Sequence, residues 1–356
     1  MVIGSRANWG RSRSFALAAE ADSQVKLSLI LIGSALQDEF GSTMDDVTSD
    51  GFHDFVKLPT STVYDEHYIQ AVVTAEALFG LAEIFHHTSP DYVITIADRF
   101  ETMSTAIAAS YSNIKLVHIQ GGEVSGNIDD KVRNAISMLA DIHFPCSSMA
   151  YDRLCELVGN SENVFNFGCP AMDTIFSLNE DFQCKFLKEK LIGEFCMVSI
   201  HPNTENILES IKCYEKVGEI IKTQLHIQFL IIRPNIDAGN SILRTYLDVL
   251  EQIPNTILKN GLSPHDYGLA LKKASILVGN SSSFLRESTL LGKPALIVGG
   301  RQRGRDSFDN IKYVPDDFIH ESFQTNYGKS YEPQYVYGSG KSGIKILQKL
   351  KEYGVK

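Results

Sequence analysis

Residues 115–144 read KLVHIQGGEVSGNIDDKVRNAISMLADIHF. The stretch opens on a short apolar run that ends in Gln120, two glycines and Glu123. A polar turn and two aspartates follow. Val132, Ile136, Leu139 and His143 then recur at helical spacing. The run reads as a buried strand and 129–143 as an amphipathic helix. A strand that passes through a glycine turn into a helix is the repeating unit of an α/β fold.

Working outward, similar runs occur at 25–32, 92–96, 114–119, 196–200, 225–232, 275–279 and 294–300. They are rich in Val, Ile and Leu without strict alternation, as suits a parallel sheet covered on both faces. Segments 67–87, 205–222 and 283–291 read as helices between them. The expectation is a doubly wound α/β architecture. The strands fall into two groups, separated by the polar stretch SLNEDFQCKFLKEK. A chain of 356 residues exceeds what one core usually serves. The expected organisation is therefore a Rossmann-like domain over 1–175 and a second over 176–335. A basic amphipathic helix in 336–356 would pack back across the join. Only Met1, Val2 and Ile3 precede GSRANWGR, so a first strand there is very short or lacks its beginning.

The 33 basic and 43 acidic residues give a formal charge of −10. That balance argues against nucleic-acid binding through a broad basic surface. The six cysteines form no CxxC pair and no Cys/His zinc spacing, so they read as reduced thiols of a cytoplasmic protein. No metal and no cofactor is expected. No apolar run of about 18 residues was evident, and the start lacks a signal-peptide core, so no membrane span is expected.

Ligands of open α/β sheets sit beyond the carboxyl ends of the strands. Four polar clusters occupy that place here. Asp98 and Arg99 follow a strand, and Glu101 opens a helix, where an acid is also an ordinary cap. Gly121 and Gly122 permit close backbone approach to a ligand or a sharp turn. Glu123 follows them, and Asp129 lies four residues before Arg133 on one helix face. Asp130 reads equally well as a helix-start aspartate. His201 follows a strand directly, at a place suited to contact with an anionic group. Asn280, Ser281 and Ser282 open a helix, a natural phosphate site. Arg301, Arg303 and Arg305 follow the next strand and suit a diphosphate. Glu287, on the serine-led helix, can accept from a ribose, although many helices carry a Glu. P-loop, HExxH and GxSxG patterns are absent from the sequence.

The segments ADRFE, HIQGGEVSGNIDDKVRNAISMLADIHF, GCPAMD, SIHPNTENI, RPNIDAGN, GNSSSFLREST, LGKPALIVGGRQRGRD and YGSGKSGIKIL occur in this order. In that order they resemble the hydrolysing UDP-N-acetylglucosamine 2-epimerases of the sialic-acid pathway type. The resemblance runs from Gly4 to about Leu350. It implies two Rossmann-like domains in a glycosyltransferase-B-like arrangement, with the site in the cleft. It implies anti elimination of UDP from the nucleotide sugar, then addition of water with inversion at C2, giving N-acetylmannosamine. Carried over by position, Asp98 and Asp129 belong to the acid/base set, with Gln120 and Glu123 beside them. Asp130 and Arg133 support the sugar side, and His201 contacts the nucleotide sugar. Ser281, Ser282, Arg301 and Arg305 hold the diphosphate, Glu287 the ribose, and Arg6 faces the diphosphate from the N-terminal side. The family also implies a homo-oligomer, a dimer or tetramer.

Three positions depart from that pattern. Gln120 stands where the family has Glu, Asn8 where it has Asp, and Ala35 where it has His. Gln keeps the shape of Glu but cannot shuttle a proton. Three readings follow: a 2-epimerase with rearranged proton transfer, a nucleotide-sugar-cleaving enzyme with an altered substrate or outcome, or a catalytically silent UDP-sugar-binding subunit.

Overall fold

The computed structural model describes residues 1–41, 43–61, 66–126, 128–178, 189–191, 193–234 and 238–354. Cys184, most of SLNEDFQCKFLKEK and the middle of RPNIDAGN lie outside the described residues. The chain forms two compact units, Met1–Phe176 with Val336–Lys356, and Ser177–Tyr335.

The first unit has two three-stranded parallel sheets. One is β1 (Val2–Ile3), β2 (Leu29–Ile32) and β3 (Phe55–Leu58), in the order β1-β2-β3. The other is β4 (Tyr92–Ile96), β5 (Lys115–Ile119) and β6 (Ile142–Phe144), in the order β4-β5-β6. β1 packs beside β4. The combined order 3-2-1-4-5-6 is that of a doubly wound Rossmann unit, whose ligand site lies at the reversal between β1 and β4. The LILI run of β2 is buried throughout, as parallel strands under helices on both faces require.

Helices α1 (Arg6–Glu20), α2 (Thr43–Ser49), α3 (His67–Thr88), α4 (Phe100–Tyr111), α5 (Ile128–Leu139), α6 (Ser148–Val158) and α7 (Pro170–Phe176) connect the strands. Ser5 caps α1 by accepting from the Asn8 amide, leaving Arg6 at the first helical position. On α3, Val73, Ala77, Leu81 and Phe85 form a fully buried stripe. Its other side exposes Tyr68, Val72 and Phe79. By length and composition Tyr68–Thr88 is apolar enough to cross a membrane, with 28% of its 18-residue apolar window buried. Reading for an uninterrupted apolar run misses it, because Glu76 and Glu83 fall inside.

The helix read over 129–143 ends at Leu139, and His143 belongs to β6. Asp141 reverses the chain: its amide donates to Leu116 O and its carboxylate accepts from Leu116 N, at 2.9 and 2.7 Å. Ile142–Phe144 then pairs with β5. Helical spacing persisted by coincidence across that turn.

The second unit is one six-stranded parallel sheet. Its strands are β7 (Phe195–Ser199), β8 (Gln228–Ile232), β9 (Thr256–Lys259), β10 (Ile276–Gly279), β11 (Ala295–Val298) and β12 (Ile311–Val314). Their order β12-β11-β10-β7-β8-β9 repeats the doubly wound pattern, with its reversal between β7 and β10. A Cβ on Gly279 would lie 2.0 Å from Ser199 O, so only glycine lets these two strand ends meet. Helices α8 (Ile207–Thr223), α9 (Asn240–Glu251), α10 (Pro264–Lys273), α11 (Ser283–Leu291) and α12 (Ile319–Asn326) cover the sheet.

The last helix, α13 (Ser342–Glu352), belongs to the first unit and packs on α1 and α7. The Asp173 carboxylate accepts from the Ser342 and Gly343 amides at 2.9 and 2.8 Å, capping it. A Cβ on Gly343 would lie 2.5 Å from the Phe15 amide. The GCPAMD and YGSGKSG motifs thus meet in a packing joint.

Candidate functional site

At the tip of β4 the chain enters the left-handed region at Ala97, with φ 65°. The tip of β5 does the same at Gln120, with φ 70°. Such conformations cost non-glycine residues about 1 kcal/mol or more and cluster at ligand sites. His118 braces the first turn: its Nε2 lies 2.9 Å from the Ala97 carbonyl and its Nδ1 3.0 Å from Ser137 Oγ. A carbonyl only accepts, so Nε2 carries the proton and Nδ1 accepts from the serine. Burial pushes the His118 pKa down to about 3, so the ring stays neutral and this tautomer holds.

The turn presents Asp98. The Arg133 Nε lies 3.1 Å from Asp98 Oδ2, and Nη2 contacts the same oxygen. Arg133 is fully buried. Its Nη1 donates to Glu123 O at 2.6 Å and to Asp130 Oδ1 at 2.5 Å. Burial opposes the guanidinium charge, but Asp98 and Asp130 outweigh it and hold the proton more tightly than usual. Asp130, three residues before Arg133, pairs with it on this face of α5.

Asp130 accepts from Ser125 N, Ser125 Oγ and Gly126 N, each at 2.7 Å. Burial raises its pKa, but these bonds and Arg133 overcome that and leave it below the usual carboxylate value. A carboxylate so engaged shapes the 123–126 loop and stays ionised at neutral pH. Asp129 is half-buried beside it in the first turn of α5, and Glu123 is buried.

Gln120 is buried, and its Nε2 donates to Cys169 Sγ at 3.1 Å. The glycines that follow serve packing. A Cβ on Gly122 would lie 2.0 Å from Ala150 O on α6, and one on Gly121 would lie 2.8 Å from Ser137 Oγ. Asn8 has an equally local explanation. Its Oδ1 accepts from Gly4 N at 3.1 Å and its Nδ2 donates to Ile96 O at 3.3 Å. It joins the tips of β1 and β4, and a carboxylate could not make that donation. Arg6 stands at the same tip, its Nη1 3.3 Å from Phe40 O. Ala35 is buried with its amide on Gly4 O. Glu101, read as a possible cap, is fully buried and paired with Arg99 Nε at 3.1 Å.

In the second unit the groups gather at the β7–β10 reversal. His201 is buried, and its amide donates to Asn280 Oδ1 at 2.6 Å while Asn280 Nδ2 returns a bond to His201 O at 2.9 Å. Ser281 and Ser282 lie just before α11, where backbone amides point out of the helix end. Ser281 Oγ is 3.0 Å from Ser283 Oγ. Glu287 is half-buried in the second turn of α11. Arg301 and Arg305 are half-buried in the turn after β11. Gln302 orients that turn: its Oε1 accepts from Arg305 Nε at 3.0 Å and its Nε2 donates to Asn280 O at 3.1 Å. Among the described residues no trio of His, Cys, Asp or Glu is arranged to hold a metal ion.

The structure thus brings Asp98, Asp130, Arg133 and the Glu123 carbonyl into one network, with Gln120 on the neighbouring strand tip. In the other unit it links His201, Asn280 and Arg305. His118 and Gln302 escaped the sequence reading. A histidine inside an apolar strand and a glutamine among arginines carry no motif that marks them.

Residues 17–351 match the family model described as UDP-N-acetylglucosamine 2-epimerase. A Legionella pneumophila protein named UDP-N,N'-diacetylbacillosamine 2-epimerase (hydrolyzing) is 27% identical over 360 residues, covering 98% of this chain and 94% of that one. A Campylobacter jejuni protein named GDP/UDP-N,N'-diacetylbacillosamine 2-epimerase (hydrolyzing) is 29% identical over 320 residues, covering 87% and 82%. Among solved structures, the UDP-GlcNAc 2-epimerase of Neisseria meningitidis, bound to UDP-GlcNAc, superposes with TM-score 0.83 at 17% identity, over 99% of this chain and 98% of that one. The fold is therefore the glycosyltransferase-B-like class with two Rossmann-like units. With a family model matching almost end to end, the chain belongs to the UDP-N-acetylglucosamine 2-epimerase family and is an enzyme of the nucleotide-sugar 2-epimerase type.

Proposed function

We propose that this enzyme is a hydrolysing 2-epimerase of a UDP-linked 2-acetamido sugar. A base removes the C2 proton, and that electron pair forms the C1–C2 double bond as the C1–O bond breaks and UDP departs with its own pair. Water then supplies hydroxyl to C1 and a proton to the opposite face of C2. The observation that carries the reading is Asp98, a strand-tip carboxylate seated on a buried arginine. It has the charge and fixed position a base needs. Asp129 is the second carboxylate, and Glu123 lies close by in sequence. Gln120 orients the sugar by hydrogen bonding and leaves proton transfer to the carboxylates. Arg6, His201, Ser281, Ser282, Arg301 and Arg305 meet the diphosphate, where cations and oriented amides stabilise a departing anion. Glu287 accepts from the ribose.

The family description favours UDP-N-acetylglucosamine as substrate. A second reading, UDP-N,N'-diacetylbacillosamine, is favoured by the names of the two relatives. Proton nuclear magnetic resonance in heavy water with each nucleotide sugar tests both. Release of UDP with deuterium at C2 of the epimerised free sugar is expected. UDP release without that label indicates cleavage of another kind, and binding without turnover indicates a silent subunit. Either result overturns the proposal.

Gln120→Glu probes the assigned division of labour. An ionised carboxylate at this buried site cannot donate to Cys169 Sγ, and burial penalises its charge. If Gln120 only orients the sugar, kcat falls by about tenfold, the scale of one misdirected hydrogen bond. A gain in kcat would show that a proton-transfer group is missing at this position.

A further inference from the structure

We propose that Glu209 is a positioning residue for diphosphate capture, a role that rests on the nucleotide reading of the second unit. Glu209 lies in the first turn of α8 with its side chain 16% exposed. An acid there ordinarily serves its own helix end. This one reaches across the sheet edge. Its Oε2 accepts from Gly300 N at 2.8 Å and from Asn203 Nδ2 at 2.7 Å, and its Oε1 accepts from Arg303 Nη2 at 3.2 Å. One carboxylate therefore ties the turn after β7, which carries His201, to the turn after β11, which carries Arg301 and Arg305.

Neighbouring features serve the same joint. Ser210 Oγ accepts from Asn203 N at 2.8 Å, so two consecutive residues of α8 hold the His201 turn. Gly299 takes a left-handed φ of 72°, and a Cβ on Gly300 would come within 3.2 Å of Glu209 Oε2. The double glycine lets the backbone close onto the carboxylate. Together with the Asn280 and Gln302 bonds, this makes a closed circuit through the turns after β7, β10 and β11. A negative charge beside an anion site opposes anion binding by simple Coulomb repulsion. Its benefit has to be geometric: it engages Arg303, itself 75% exposed, and fixes the turn that bears Arg301 and Arg305.

The test compares wild type, Glu209→Ala and Glu209→Gln by calorimetric titration with UDP, steady-state kinetics and thermal melting. Glu209→Ala is expected to raise the UDP Kd and the KM about tenfold, the scale of lost charge-assisted hydrogen bonds, with a smaller change in kcat. Glu209→Gln keeps an acceptor oxygen and recovers part of that loss. A purely structural role would lower the melting temperature and leave the UDP affinity of the folded protein unchanged. Wild type that binds UDP, with Glu209→Ala binding equally well, overturns the positioning role alone. Wild type that binds no UDP overturns the nucleotide reading and this proposal with it.

Discussion

Asp98→Asn is expected to lower kcat by about a thousandfold, the middle of the range for loss of a positioned general base. The UDP Kd should stay within about twofold, because the groups assigned to UDP are elsewhere. The substitution preserves shape, and the amide oxygen can still accept from Arg133. Arg133 also retains Asp130 and the Glu123 carbonyl, so the fold loses only part of one network. His118 keeps its hold on Ala97 O, so the backbone turn presenting residue 98 is unaffected. Kinetics, UDP titration and melting on one preparation separate loss of chemistry from loss of structure. Turnover within about tenfold of wild type would show that another group removes the C2 proton.

Much of the architecture could be read from residue pattern, because buried parallel strands are written as unbroken runs of Val, Ile and Leu. β2, β10 and β11 announce themselves that way. Strands β3 and β12 do not: each has two exposed central residues, so FVKL and IKYV look like loop. β6 was absorbed into a helix because the turn at Asp141 is stabilised by contacts with Leu116, far away in sequence. The candidate site divides along the same line. Residues that end a strand, such as Asp98 and His201, are visible from position alone. Groups that act through a third dimension are not. Asn8 looked like a carboxylate neutralised for chemical reasons, whereas its amide bonds Ile96 O across the reversal in strand order. Gly121 and Gly122 suit a ligand or a sharp turn equally well from sequence, and the close approach of Ser137 and α6 to them is not legible there. Nothing in the sequence sets Glu209 apart from other acids in a first helical turn, because its partner Gly300 lies far along the chain.

Arg133→Met should cost the most stability, about 3–5 kcal/mol at neutral pH, because removing one member of a buried ionic network strands the others. For a unit of this size that corresponds to a fall of about 10 °C in melting temperature. The methionine fills most of the volume, so the deficit is electrostatic, and its dependence on pH has a definite sign. In the wild type Asp130 has a lowered pKa. Its contribution to stability is therefore present above the ordinary carboxylate value and is lost as pH falls through the lowered one. In the variant Asp130 has lost its guanidinium partner, so it protonates more readily. A neutral carboxyl needs no cation, and acidification relieves the variant while it weakens the wild type. The gap between their melting temperatures should then be widest near pH 7 and narrower at pH 4. A gap that is constant or grows on acidification would mean that Arg133 acts by packing. Activity gives an independent reading: if the guanidinium seats Asp98 as the base, the variant loses kcat at temperatures well below its own melting transition.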